Sequence, residues 1–479
     1  MSRYIQRNDW MPIFKERSLG EHSILTSQTG SWMILTREER AKLDSIRLEE
    51  NLFNRLEKKG LILTQKNHGE VINAYQEWNE PKYHSNTPLH IVNITDNCNL
   101  QCKYCSASVA KNKADMRAKT MSQQTGRAVV DFIFAAPNNG SVNIEFQGGE
   151  VLMAFDTMKS MVDYAREKAV AQGIEVTFGT TTNLVALTQK HCEFFRENDF
   201  SIATSLDGPK SIHDGHRVFP NNKGTFEAMV RSIELLEKNQ IGFGILAVIT
   251  AKSKDRYEEI VEMYQAVGKR RVIANFIRPM GDAVNDWDEL GLDNDEYLDS
   301  YRKLLDHITA KWKDGNFLEE RMLQLTLNKI LNRTDVEFTD YRTPCGMARG
   351  QIGYDIHGSV FTCYQARHLP KFKLGDVFND TYEEIVASNR LADLLSESIP
   401  HYEECGTCPY SAFCGVCPAV NNERSVNRAK DDTLCQLSQF LVDYVFEMMI
   451  HRRPLLEAYL LHRNYEMFQK ECCISAEAV

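Results

Sequence analysis

Three cysteines within eight residues, Cys98-Asn-Leu-Gln-Cys102-Lys-Tyr-Cys105, form the most chemically loaded stretch of the chain. Their spacing cannot place all three thiolates on one helix face, but a loop can wrap them around the edge of a cubane. Iron–sulfur clusters take thiolate ligands, and a four-iron cluster normally takes four. Three leave one iron open, and an open metal position is where chemistry occurs, by the logic that separates catalytic from structural zinc. Zinc is the rival, yet its usual four-ligand patterns join two close pairs, not a lone triplet.

A second group follows after a long gap: Cys345, Cys363, Cys405, Cys408, Cys414, Cys417 and Cys435. Of thirteen cysteines only Cys192, Cys472 and Cys473 lie outside the two groups. Such clustering favours metal sites over scattered core cysteines. The start, MSRYIQRNDW, lacks the basic and apolar regions of a secretory leader. The expectation is therefore a cytoplasmic protein, where thiols hold metal more often than they form disulfides. Acidic residues outnumber basic ones by 66 to 56, a formal charge of −10 that argues against a nucleic-acid partner. The most apolar stretch, Phe440 to Ile450, carries Asp443 and Glu447 and is too short to span a bilayer, so no membrane partner is expected.

Between the cysteine groups the chain alternates apolar β-type runs with helical patterns. Six runs read as strands, beginning at Leu89, Val142, Glu175, Phe200, Ile241 and Arg271. Each of the first five precedes an amphipathic segment of helical length, two of them closed by glycine. Repeated βα units imply parallel strands, and six are too few for a complete eight-stranded barrel. The expected fold is α/β, a partial (β/α)6 barrel. In such architectures ligands sit at the C-terminal strand ends, where every unusual polar motif here falls. The first eighty-odd residues read differently. SILTSQTGSWMIL suggests two strands around a glycine turn, Thr36 and Glu39 have capping-box spacing, and a helix stops at Gly60 before LILT. A small winged-helix-like module or a plain extension packed on the barrel both fit this pattern.

CxxxCxxC after the first strand of a βα repeat resembles the signature of the radical S-adenosylmethionine enzymes. The resemblance implies that the open iron chelates the amino and carboxylate groups of the cofactor, whose cleavage yields a 5′-deoxyadenosyl radical that abstracts a substrate hydrogen. Gln147-Gly148-Gly149-Glu150 is similar to the family's GGEP motif, with Val151 in the place of proline. Glycines admit close backbone approach, and Glu150 is expected to accept from the methionine ammonium. By the same resemblance Thr181, Thr182 and Asn183, and Ser205 and Asp207, contact the cofactor or line the substrate pocket, and Tyr104 packs near adenine. The run SLDGPKSIHDGHR is similar to one in radical enzymes acting on peptides and proteins, which makes Asp207, His213, Asp214 and Arg217 candidates for organising substrate. His213 and His216 equally fit a loop-capping role.

The second cysteine group resembles the SPASM domain, which holds two auxiliary four-iron clusters. That resemblance assigns Cys405, Cys408, Cys414 and Cys435 to an outer cluster and Cys345, Cys363 and Cys417 to an inner one, three [4Fe–4S] clusters in all. The last short spacing, between Cys414 and Cys417, has two residues where the family usually has three. The inner set has three thiolates, which leaves an iron for a substrate thiolate, for an oxygen ligand such as Asp340 or for water, unless Cys417 serves a different cluster. Sulfatase maturases carry an aspartate as proton acceptor directly after the cysteine matching Cys363. This chain has Tyr364 and Gln365 there, and a tyrosine is a poor base near neutrality. Tyr364 is carried as the catalytic candidate at that position.

PLHIV, VVDFIF, IEFQGGE, ATSLDGP and GSVFTC together most resemble the His-Xaa-Ser system radical SAM maturases, over roughly residues 85 to 440. The layout implied is an N-terminal peptide-recognition-like module at 1–84, the barrel at 85–290, a helical bridge at 291–344, the SPASM domain at 345–440 and a terminal helix and tail at 441–479. The implied activity is radical modification of a ribosomally made precursor peptide, giving a thioether or carbon–carbon crosslink. The implied electron donor is a flavodoxin or ferredoxin. Serine or cysteine oxidation of the sulfatase-maturase type and a non-catalytic iron–sulfur scaffold are the alternatives.

Overall fold

The computed structural model describes residues 4–6, 9–45, 47–84, 87–105, 119–279, 281–334, 341–342, 344–398, 403–415, 417–420 and 432–463. Six parallel strands carry the candidate site: β1 Leu89–Thr95, β2 Ser141–Gly148, β3 Glu175–Thr181, β4 Ser201–Ser205, β5 Phe243–Ile249 and β6 Ala274–Phe276. They pair in chain order, so each successive strand is added at the same edge. The run from Arg271 reads as one strand in the sequence but is two. Arg271–Val272 pairs with Glu319–Glu320, and only Ala274–Phe276 joins β5.

The two-residue period of a strand explains the layering. Val142, Ile144 and Phe146 of β2 are buried, whereas the alternate Asn143 is exposed and Glu145 and Gln147 are only half-buried. The rings of Phe146, Phe178 and Phe200 line up from β2 to β3 to the start of β4, 5.6 to 6.3 Å apart. The same core takes Val129, Val130 and Ile133 of helix α1, Gln123–Ala135, and Met158, Met161 and Val162 of α2, Phe155–Gln172. Gly173 ends α2 with φ +68°, the left-handed stop its sequence position indicates.

The second cysteine domain does not hang from the barrel as a separate bead. Its first strand, β7 Gln351–Tyr354, adds in parallel to the free edge of β1, and β8 Ser359–Phe361 and β9 Lys373–Asp376 follow antiparallel. Among the described residues nine strands thus form one sheet. The seam is fixed by buried hydroxyl contacts: Tyr354 with His90 Nδ1 at 2.9 Å, and Tyr382 with Thr87 at 2.8 Å. Cys363 comes two residues after β8, so its place is set by the barrel's own sheet.

The N-terminal part holds an antiparallel sheet of Phe14–Leu19, His22–Ser27 and Trp32–Thr36 around a core that includes Leu25, Leu35, Leu52 and Leu56. Thr36 and Glu39 form a capping box at the helix Arg37–Leu43. The sequence reading had two strands here. FKERSL is a half-exposed edge strand whose charges hide its period. This sheet touches the second cysteine group directly: Lys15 donates to Ser411 at 2.9 Å, and Thr26 donates to the Pro409 carbonyl.

Candidate active site

Cys98, Cys102 and Cys105 lie in the loop that leaves β1, at the C-terminal mouth of the barrel. Two neighbours hold this loop. The Gly-Gly-Glu turn after β2 is zipped to it by Gly149 N–H to Thr95 O at 2.8 Å and Glu150 N–H to Asn97 O at 2.7 Å. A Cβ on Gly148 would come within 2.4 Å of Thr95 O, and one on Gly149 within 2.3 Å of Asn97 O. Both glycines are therefore required by backbone contact. On the other side Gln101 and Lys103 N–H groups donate to the carbonyls of Val218 and His216.

Burial raises the thiols, Cys98 to about 12 and Cys102 to about 11, with each affected by the other cysteines of the triplet. Such buried thiols need a strong cation to ionise. Among the described residues no three donor side chains converge closely enough for a single ion. The ligands of a cubane sit on separate irons and need no such convergence. The donor set fits a [4Fe–4S] cluster, with Asn183 Nδ2 3.9 Å from Cys98 Sγ and Arg217 Nη1 3.9 Å from Cys102 Sγ.

Glu150 is 1% exposed, and its carboxylate accepts from Leu152 N–H at 3.0 Å, Thr182 O–H at 2.6 Å and Asn183 N–H at 2.7 Å. Burial raises its pKa against these three donors. It therefore braces the ends of β2 and β3, and it brings Thr182 and Asn183 beside the cysteine loop. Ser205 closes β4 at the same mouth, nearly buried.

The SLDGPKSIHDGHR run folds back behind the cysteine loop rather than over the lumen. Asp207 has no exposure; Oδ2 accepts from Arg217 Nε at 3.1 Å and from the Tyr104 hydroxyl, and Oδ1 accepts from Val248 N–H at 3.1 Å. Burial works against this charge, but Arg217, His213 and the Tyr104 hydrogen bond leave the carboxyl below its usual range. Tyr104 packs with Ile277, Ala283 and Leu290, its ring 5.2 Å from the Arg217 guanidinium. These three residues were expected to meet substrate or adenine; their geometry is that of groups positioning Cys102. His213 accepts from Asp207 N–H and pairs with Thr225, burial pushing it down to about 4. Asp214 caps the helix Phe226–Lys238 through Phe226 N–H at 2.8 Å. Both are loop-holding residues.

Tyr364 does reach the mouth. Burial raises its phenol; Arg367, stacked 3.9 Å from the ring, opposes this, while Cys105, Asp96 and Glu145 add to it. Gly353 of β7 makes the approach possible, since a Cβ there would sit 2.7 Å from the Cys363 carbonyl. Cys345, Cys363 and Cys417 are all buried. In the outer set Cys414, raised by burial to about 11, is affected by Cys408 and Cys435, and Lys15 by Cys405 and Cys408, which brings all four into one neighbourhood. Cys192 is buried in the helix Gln189–Glu197. Asp340, Cys472 and Cys473 lie outside the described residues. Glu145 and Asp96 escaped the sequence reading; the signal was available in the alternation of IEFQ, which turns a glutamate away from the core.

The family model described as Radical SAM superfamily matches residues 92–267, and that of the SPASM iron–sulfur cluster-binding domain matches 345–409. Together with the parallel sheet and the thiol sets, these matches define a radical S-adenosylmethionine enzyme with a SPASM extension, which uses S-adenosylmethionine and [4Fe–4S] clusters. A cysteine-type anaerobic sulfatase-maturating enzyme of Clostridium novyi is 26% identical over 351 residues, 71% of this chain and 90% of the relative. A serine-type enzyme of Klebsiella aerogenes is 24% identical over 356 residues, 73% and 84% of the two chains. Among solved structures, native anSMEcpe with bound AdoMet superimposes with a TM-score of 0.66 at 21% identity, over 78% of this chain and all but 1% of that one. Streptococcus suis SuiB bound to precursor peptide SuiA gives a TM-score of 0.55 at 14% identity, over 91% of this chain and 100% of that one. Among the described residues no helix is long and apolar enough to cross a membrane.

Proposed function

We propose that the enzyme modifies a ribosomally made precursor peptide by forming an intramolecular crosslink, a thioether or a carbon–carbon bond, in the manner of the His-Xaa-Ser system maturases it resembles. When bound, the triplet's cluster and S-adenosylmethionine supply the carbon radical that takes a hydrogen atom from the peptide. The chain's own residues do the positioning. Gly148 and Gly149 keep the ligand floor flush, Glu150 fixes Thr182 and Asn183 at its edge, and Asp207, Arg217 and Tyr104 hold the cysteine loop from behind. A ferredoxin or flavodoxin supplies the reducing electron.

The observation that carries this reading over side-chain oxidation is Tyr364. The residue after Cys363 lies at the mouth, yet it is a phenol that burial holds protonated, so side-chain oxidation of the sulfatase-maturase type would need another base in place of the aspartate. The likeness to SuiB takes in more of the chain than the likeness to anSMEcpe, 91% against 78%, at a lower TM-score, 0.55 against 0.66. The identity to sulfatase-maturating enzymes over some seven-tenths of the chain favours the second reading, serine or cysteine oxidation. Peptide mass spectrometry separates the two. A crosslink suppresses fragmentation between the joined residues and leaves nothing for a hydrazide to capture. An oxidised side chain fragments normally and reacts as an aldehyde, which would overturn the proposal.

A further inference from the structure

A crosslink made by this route needs a proton acceptor. The substrate loses a C–H and an X–H bond, where X is sulfur or carbon, and gains C–X. One hydrogen atom goes to the adenosyl carbon, one electron to an iron–sulfur cluster, and one proton must go to a group facing the peptide. Tyr364 is unsuited, and Asp207 is sealed behind the cysteine loop.

Glu145 sits in the wall of the lumen. Its neighbours on β2, Ile144 and Phe146, are fully buried towards the helices, so the alternation of the strand turns Glu145 the other way. In register it is level with Ile91 of β1 and Gly179 of β3, and Ile91 in turn is level with Gly353 of β7. Gly353 lets the Cys363–Tyr364 backbone cross the sheet face, whereas a Cβ on Gly179 would lie in ordinary contact with the Glu145 side chain, 3.6 Å from Cγ. Oε1 accepts from the Thr181 hydroxyl at 3.3 Å and from the Gln147 side-chain amide. Among the described residues no hydrogen bond is made to Oε2, and the side chain is half-buried. Glu145 is three residues from Gly148, about 10 Å along the strand from the ligand floor. Asp96 is the other carboxylate near Tyr364, but it belongs to the cysteine loop and accepts from Asn93 at 2.7 Å.

We propose that Glu145 is the catalytic proton acceptor, receiving at Oε2 the proton released as the new bond forms, with Thr181 and Gln147 fixing Oε1. This rests on the peptide-crosslinking reading. A carboxylate oxygen can accept a proton where a protonated phenol cannot, and general-base removal typically costs 100- to 10,000-fold. The test uses reduced, cluster-loaded wild type, Glu145→Gln, Glu145→Asp and Asp96→Asn with S-adenosylmethionine and a candidate precursor peptide that wild type crosslinks. For Glu145→Gln the ratio of 5′-deoxyadenosine to crosslinked peptide is expected to rise at least ~100-fold, with partial recovery in Glu145→Asp. The cluster electron paramagnetic resonance spectrum and peptide affinity of Glu145→Gln should match wild type. Wild-type product yield from Glu145→Gln, uncoupling that follows Asp96→Asn instead, or loss of clusters or peptide affinity in parallel with product would each overturn the assignment. Failure of wild type to crosslink any candidate peptide overturns the underlying reading, and the assignment with it.

Discussion

Asp207 and Arg217 are a buried ion pair, 0% and 10% exposed at the side chain, and their value lies in what they hold. Removing one partner of such a pair leaves the other charge stranded. Asp207→Asn should destabilise the cluster-loaded protein by about 3–5 kcal/mol, read as a lowered denaturation midpoint, with Cys102 no longer fixed. Gly149 offers a sharper probe, because no side chain fits against Asn97 O. Gly149→Ala should push the Gly-Gly-Glu turn off the cysteine loop and weaken S-adenosylmethionine binding at least ~10-fold, measurable by equilibrium dialysis, since a 1.4 kcal/mol loss suffices. At this scale the cysteines were legible because thiol spacing is itself the signal. The direction of Asp207 was not, since a motif names residue types and the fold decides which face they meet.

The barrel strands were legible for a physical reason: apolar residues recur with period two, and glycine or polar runs close each unit. The starts read at Leu89 and Glu175 are those of β1 and β3. What stayed hidden was long-range pairing. QIGY is too short to announce that it extends the barrel sheet beside β1, and RVIANFIRP gives no hint that it splits between two partners. The bridge after the barrel holds a test of its own. Glu320 caps the helix Arg321–Asn332 through Leu323 N–H, accepts from Tyr301 at 2.8 Å, and is pushed up by burial to about 7. Its folded form keeps a proton that the unfolded chain has lost between the usual carboxyl range and pH 7. Stability is thus greatest below that range and falls as pH rises through about 7, by up to about 3 kcal/mol. Glu320→Gln removes this dependence, so its melting temperature relative to wild type should be higher at pH 8 than at pH 5.5. An equal difference at both values would show that Glu320 is not proton-coupled.

On the scale of the molecule, one sheet carries the Cys98–Cys105 loop and leads into Cys363, while the N-terminal sheet leans on the Cys405–Cys414 segment through Lys15 and Thr26. Three proposed [4Fe–4S] clusters imply roughly twelve irons per chain, and replacing Cys98, Cys102 and Cys105 by alanine should leave roughly eight. Iron and sulfide analysis checks this, and a wild-type content near eight would remove one auxiliary cluster from the account. On the proposed function, the radical formed at the barrel mouth takes hydrogen from a peptide. The most direct measurement uses a candidate precursor peptide deuterated at carbon, with the reduced enzyme and unlabelled S-adenosylmethionine. Deuterium is expected in the 5′-deoxyadenosine, with a peptide lighter per link by one deuterium and one hydrogen for a thioether or by two deuteriums for a carbon–carbon bond. Unlabelled 5′-deoxyadenosine beside a peptide of unchanged mass, with the clusters intact, would contradict it.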